Sequence, residues 1–193
     1  MLNGAKFLTQ GRIQHCPLTS AFIISTQHCM ERLWTPWRLA YVTGSGEAVG
    51  CVFCQALTEP EAEPLIVFRG SGCFVILNLF PYNNAHLMVV PNRHVASLAQ
   101  ATVEERCELM DLASVAETAI TEAYAPHGMN MGINLGKPAG AGIPGHLHLH
   151  VVPRWDGDTN FMTVVGQTRV LPEELPQTAD KLRPIFERLT QSR

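Results

Sequence analysis

From residue 65 onward the apolar positions come in short runs separated by turn residues. LIVFR (65–69), CFVILN (73–78) and AHLMVVP (85–91) each have the length of a strand. Gly, Pro and Asn punctuate them, which predicts an antiparallel meander. Thr102 followed by Glu105 makes a capping box. Behind it Leu109, Leu112, Ala113, Ala116, Ile120 and Ala123 recur at helical spacing and predict a helix of about 20 residues. MNMGINLG (129–136) reads as another strand and HLHLHVVP (146–153) as its partner, with the Gly-rich GKPAGAGIPG (136–145) between them. The tail from about Pro172 reads as helical, with a kink or break at Pro184. The expected class is α+β: a mainly antiparallel sheet with one long helix on a face and a C-terminal helix.

Residues 1–29 show no such period, and the aromatic-rich MERLWTPWRLAYV opens at Met30. The expected organisation is an arm over 1–29, with Met30 as the natural start, and one domain over 30–193. GSGEAVG (44–50) is a flexible connector within it and EPEAEP (59–64) an acidic loop.

Composition narrows the function. A hydrophobic content of 46% supports a real core, and 16% charged residues argues against wholesale disorder. The net charge of −3 gives no general attraction to nucleic acid, so local groups must hold any anionic substrate. Six cysteines in 193 residues are too few for a disulfide scaffold. No apolar run approaches the roughly 18–20 residues that span a bilayer, and AFII (21–24) is too short for a secretory leader. A cytoplasmic protein without a membrane or nucleic-acid partner is expected.

Two groups of residues carry candidate chemistry. In a strand His146, His148 and His150 share one face, while Leu147, Leu149 and Val151 share the other. Surface strands usually mix Thr, Lys, Glu and Ser, so three aligned imidazoles point to metal ligation or to nucleophilic catalysis. Imidazole can attack phosphorus and form a phosphoramidate, provided one nitrogen is free and the other is held. Upstream, Asn134, Lys137 and the N–H groups of Gly140 to Gly142 offer an anion nest. Lys137 and Arg154 could face a polyphosphate tail, and Trp155 could flank a second nucleotide. The second group is CVFC, Cys51 and Cys54, which alone leaves zinc, redox chemistry and chance open. A thioredoxin-like βαβ context is missing around it.

HLHLHVV resembles the His-x-His-x-His-x-x signature of the histidine triad family of nucleotide hydrolases and transferases, over roughly Met30 to Arg169. VILNLFPYNNAHLMVVPNRHV looks like that family's nucleotide-binding half-sheet. The resemblance implies His148 as nucleophile, His150 and Asn134 on the phosphates, Asn78 on the ribose hydroxyls, and Ile76 and Met88 beside the base. His86 matches a histidine that supports the triad. In one branch of the family two cysteines, the histidine ending VVPNRH and the first triad histidine bind zinc, which here implies Cys51, Cys54, His94 and His146 in a structural site. ERLWTPWR, LNLFPYNNAHLMVVP and HLHLHVVPRWDGDTNFM are similar to the bacterial diadenosine tetraphosphate phosphorylase branch. Leu147 replaces the proline of the hexose-1-phosphate uridylyltransferase branch, and Gly142–Pro144 stand where a serine-bearing phosphate loop can occur. The implied reaction transfers AMP to His148, releases ATP and lets inorganic phosphate complete ADP. Hydrolysis of dinucleoside polyphosphates, phosphoramidase activity and a nucleotide-binding zinc scaffold are the alternatives. The family is usually a homodimer.

Overall fold

A computed structural model describes residues 50–158 and 172–192. The N-terminal arm, the Met30 start and the connector up to Val49 lie outside the described residues. Five strands form one antiparallel sheet: β1 (Ile66–Arg69), β2 (Cys73–Leu77), β3 (Leu87–Pro91), β4 (Gly128–Ile133) and β5 (Leu149–Arg154). Their order across the sheet is β1-β2-β3-β5-β4, every neighbouring pair antiparallel. The protein is therefore α+β, with the expected meander in β1–β3 and the expected pairing of β4 with β5.

Between β3 and β4 runs the long helix α2 (Val103–Tyr124), following the short α1 (Val52–Ala56) near the start of the described chain. The Thr102 side chain accepts the Glu105 N–H and the Glu105 carboxylate accepts the Thr102 N–H, so the capping box forms as the sequence implies. Leu109, Leu112, Ala113, Ala116 and Ile120 are buried as their spacing requires, and Val115 and Ala119 join them. Their face packs on Val75, Leu77, Leu87, Val89, Leu149 and Val151, which point to one side of the sheet. Leu182 and Phe186 of α3 (Leu175–Gln191) complete this core.

The C-terminal helix runs through Pro184, so of the expected kink or break the break does not occur. Pro184 lies on the exposed side, where water can hydrate the Asp180 carbonyl that loses its partner. Burial of Thr178, Ala179, Leu182 and Phe186 on the opposite side holds the segment helical. At roughly 1.5–3 kcal/mol for each large apolar side chain removed from water, that burial offsets the lost hydrogen bond.

The histidine run enters the sheet only in part, contrary to the expected strand over 146–153. The β5 ladder begins only at Leu149, so His146 and His148 precede the hydrogen-bonded strand. The register that pairs Val89 with Leu149 would set Pro91 opposite Leu147, and proline has no N–H to continue the ladder. Leu147 instead donates its N–H to the Val95 carbonyl at 2.6 Å.

Candidate active site and metal centre

The sheet face turned away from α2 carries the chemistry. A single row runs across it by cross-strand pairing: Ile66, Ile76, Met88, His150, Gly132. Apolar residues occupy the β1–β3 half, where Phe53, Phe74, Ile76, Met88 and Val90 form a second buried cluster. Polar residues occupy the β5–β4 half. Ile76 and Met88 thus border the histidines, and both are buried.

His148 is 4% exposed and donates its Nδ1–H to the His146 carbonyl at 2.8 Å. That bond fixes the tautomer, so Nε2 carries the lone pair. Burial holds its pKa below the usual histidine value, with the backbone bond opposing this in part, and the ring stays neutral near pH 7. Phe53 packs against it, ring centroids 5.1 Å apart, and His150 stands edge-on at 4.9 Å. A neutral, oriented imidazole enclosed by apolar neighbours is the form able to attack phosphorus.

The tautomers of His86 and His150 follow by the same reasoning. His86 is fully buried, and its Nδ1 accepts the Tyr82 backbone N–H at 3.0 Å and lies 3.4 Å from Asn78 Nδ2. A nitrogen that accepts carries no proton, so the ring N–H of His86 is on Nε2. It points at His150 Nδ1, 3.0 Å away, and donates to it. His150 must then hold its own proton on Nε2. The sheet thereby presents one imidazole with a lone pair and a second with an N–H donor.

Beyond His150 a cavity of about 340 Å³ opens over β4 and β5, with Asn134, Asn130, Gly132 and Arg154 in its walls. An added Cβ at Gly132 would meet nothing within 4 Å, so this position leaves the row open beside His150. Arg154 reaches the cavity with its charge already engaged: Nε and Nη2 hold Asp158 at 2.6 and 2.8 Å, and Nη1 reaches Asn130 Oδ1 at 2.9 Å. Trp155 is half-buried. Lys137 is exposed on a 3-10 turn (Lys137–Ala139) and does not line that cavity. The loop's N–H groups are partly used within it, since Gly140 donates to Lys137 and Ala141 to Gly136, which leaves Gly142 as the remaining member of the expected nest. Asn78 accepts the Phe80 N–H through Oδ1 at 3.0 Å.

The four residues assigned to metal come together. The ligand atoms of Cys51, Cys54, His94 and His146 all lie within 4.8 Å of one another. Sγ of Cys51 is 3.2 Å and Sγ of Cys54 3.7 Å from His146 Nδ1, and Cys54 Sγ is 3.3 Å from His94 Nδ1. Tetrahedral zinc with ordinary bond lengths sets S and N ligands about 3.5 Å apart, so these three contacts match such a site. His146 also donates its Nε2–H to the Pro91 carbonyl at 2.8 Å, the outer hydrogen bond that orients a metal-binding imidazole. Burial and the adjacent Cys51 push the Cys54 thiol upward, a cost that a cation between the sulfurs would reverse.

Sequence reasoning passed over Phe53, Tyr82, Asn83 and Asp158. The Asp158 signal was present, four residues after Arg154, but an i,i+4 pair off a helix has no meaning until the chain turns.

These elements define a histidine triad site on a half-sheet, and residues 59–157 match the HIT domain family. The chain belongs to that family. It is 41% identical over 157 residues to the AP-4-A phosphorylase of Mycobacterium tuberculosis, covering 77% of this chain and 80% of that one. The bis(5'-adenosyl)-triphosphatase of Dictyostelium discoideum is 28% identical over 128 residues, 63% of this chain and 85% of its own. The crystal structure of a Zn-bound histidine triad family protein from Mycobacterium smegmatis superposes with a TM-score of 0.60 at 25% identity, over 75% of this chain and 99% of that one.

Proposed function

We propose that this chain is a nucleotidyl transferase that cleaves diadenosine tetraphosphate by phosphorolysis, through an adenylyl group carried on His148. The observation that carries this reading is the His148 Nδ1–H bond to the His146 carbonyl, which leaves Nε2 as a neutral nucleophile. In the first step Nε2 bonds to an α-phosphorus and the P–O bond to the remaining polyphosphate breaks, releasing ATP. His150, with its proton on Nε2, donates to the phosphate as charge shifts to the leaving oxygen. Asn134 lies in the same cavity and suits the phosphate oxygens. In the second step an oxygen of inorganic phosphate attacks, the P–N bond breaks, and ADP leaves with His148 neutral again. Ile76 and Met88 supply an apolar edge for the base and Asn78 a polar group for the ribose. Similarity to the mycobacterial phosphorylase supports phosphate as acceptor. Similarity to the Dictyostelium enzyme favours the second reading, hydrolysis.

Incubation with diadenosine tetraphosphate, with and without millimolar phosphate, separates the two. Phosphorolysis gives ATP and ADP at a rate that rises with phosphate. AMP and ATP at one rate regardless of phosphate would make the enzyme a hydrolase.

Zinc belongs to the same proposal. Cys51, Cys54, His94 and His146 would hold it in a closed four-ligand site, where it stabilises the fold and leaves no position for substrate. A homodimer is proposed as well: β4 stands at an edge of the sheet with Met131 41% exposed, and an edge strand that no other strand pairs among the described residues invites pairing. Light scattering reads the mass directly, and a monomer at micromolar concentration contradicts this assembly.

A further inference from the structure

The loop between β2 and β3 folds back so that Tyr82 and His86 meet. Ala85 in it has φ 56° and is 1% exposed. A left-handed alanine is unfavourable and persists only where its surroundings over-determine it. The fastening comes from outside the loop. Asn83 Nδ2 donates to the Pro153 carbonyl of β5 at 3.1 Å and to Asp158 Oδ2 at 2.9 Å. Asp158 is itself held by Arg154 Nε and Nη2 and by the Trp155 N–H at 3.3 Å, with its side chain 11% exposed. Within the loop, the His86 N–H donates to the Asn83 carbonyl at 3.3 Å.

We propose that Asp158 is a positioning residue for the triad, acting through Asn83 to hold the Tyr82 N–H on His86 and so to decide which nitrogen of His150 carries the proton. The inference rests on the reading of His150 as a donor during nucleotidyl transfer. Each link permits one arrangement. With the Tyr82 N–H in place, His86 Nδ1 must accept, His86 Nε2–H must donate to His150 Nδ1, and His150 must keep its proton on Nε2. Once the clasp opens, His86 can hold its proton on Nδ1 instead. Its bare Nε2 then draws the His150 proton to Nδ1, and a lone pair on His150 Nε2 meets the phosphate oxygens. The Arg154 charge, which the sequence alone would direct at a polyphosphate tail, serves here to fix Asp158.

Nitrogen-15 NMR of the histidine rings reads these tautomers in the resting protein, without turnover. The expected wild-type pattern has a proton on Nε2 and none on Nδ1 for both His86 and His150. Asn83→Ala leaves the Arg154–Asp158 pair intact, and Asp158→Ala removes the anchor. Both should lose the single pattern at both rings. General acid assistance is worth about 10²–10⁴-fold, so both variants should also lower kcat by about tenfold or more with KM changed by less than about threefold. A proton on Nδ1 of His86 in the wild type overturns the proposal even if neither variant folds. Folded variants that keep the wild-type tautomers and kcat overturn it equally. A protein with the expected tautomers and no dinucleotide cleavage contradicts the functional reading instead, and the clasp is then judged by the ring spectra of the variants.

Discussion

His148 owes its readiness to a bond made by its neighbour's backbone rather than by a side chain. The His146 carbonyl accepts the Nδ1–H, and substitution at position 146 leaves that carbonyl in place, so the tautomer of His148 and the His146 ring proposed for zinc can be perturbed separately. His148→Ala should reduce turnover by at least about 10³-fold, because only binding and charge stabilisation remain once a nucleophile is gone. Nucleotide affinity, measured by calorimetry, should stay near the wild-type value, since the ring's loss removes the attacking atom and little else. Turnover near the wild-type rate in that variant would mean that another group attacks. The thiols divide in the same way by surroundings. Burial, with Glu108 and Glu105 nearby, pushes the Cys73 thiol up to about 12, so it should resist alkylation at pH 8, while the exposed Cys107 is modified first.

At the scale of elements, stability depends on small pieces tied to large ones. The five residues of α1 are far fewer than the roughly 12–15 an isolated helix needs, so its bonds to the rest of the domain must hold it. Phe53 does so from one side, against His146 and His148, and the proposed zinc from the other. Protein prepared without chelators should contain about one zinc per chain, and Cys51→Ser with Cys54→Ser should lose it and melt at lower temperature. A metal-free protein of full stability would remove zinc from the account. On the opposite face Glu108 of α2 accepts the Ser71 and Gly72 N–H groups at 2.7 and 2.6 Å and the Ser71 hydroxyl at 3.1 Å, pinning the β1–β2 turn. Glu108→Ala leaves those donors to water and should cost about 1–3 kcal/mol in urea unfolding. Glu105 provides the pH test. Its hydrogen bonds from Arg93 and then from the Thr102 N–H hold the carboxyl below its ordinary range. The stability it adds is present above the unfolded value near about 4.3 and fades as pH falls through the lower folded value. The stability difference between wild type and Glu105→Gln should therefore shrink on acidification below pH ~4. The meander, α2 with its capping box, and the β4–β5 pair were legible because period and caps are local signals. The start of β5 was not, because it depends on Pro91 lying opposite Leu147, a fact of register. The unbroken α3 was hidden for a related reason: which side of a helix faces water decides what Pro184 costs.

Across the whole molecule, the two faces of one sheet divide the labour. The face under α2 and α3 is apolar throughout and supplies the core, while the other holds an apolar half and a polar half, which the proposed function gives to the base and the phosphates. Among the described residues no helix is long and apolar enough to cross a membrane. The histidine run and CVFC could be singled out from sequence because their residue types and spacing are specific, and the family resemblance added Asn134 and His94; the fold brings Cys51, Cys54, His94 and His146 together. The clasp at Asp158 could not, since it joins residues 75 positions apart that only the fold brings together. In the proposed function these parts serve one event, transfer of an adenylyl group to His148. Rapid quenching with diadenosine tetraphosphate labelled in its α-phosphates, with phosphate withheld, tests that event most directly. The account predicts label bound to protein that survives alkali, is lost in acid, maps to the peptide holding His148, and is discharged as ADP when phosphate is added. Cleavage that proceeds with no protein-bound label, or with label on another residue, would contradict it.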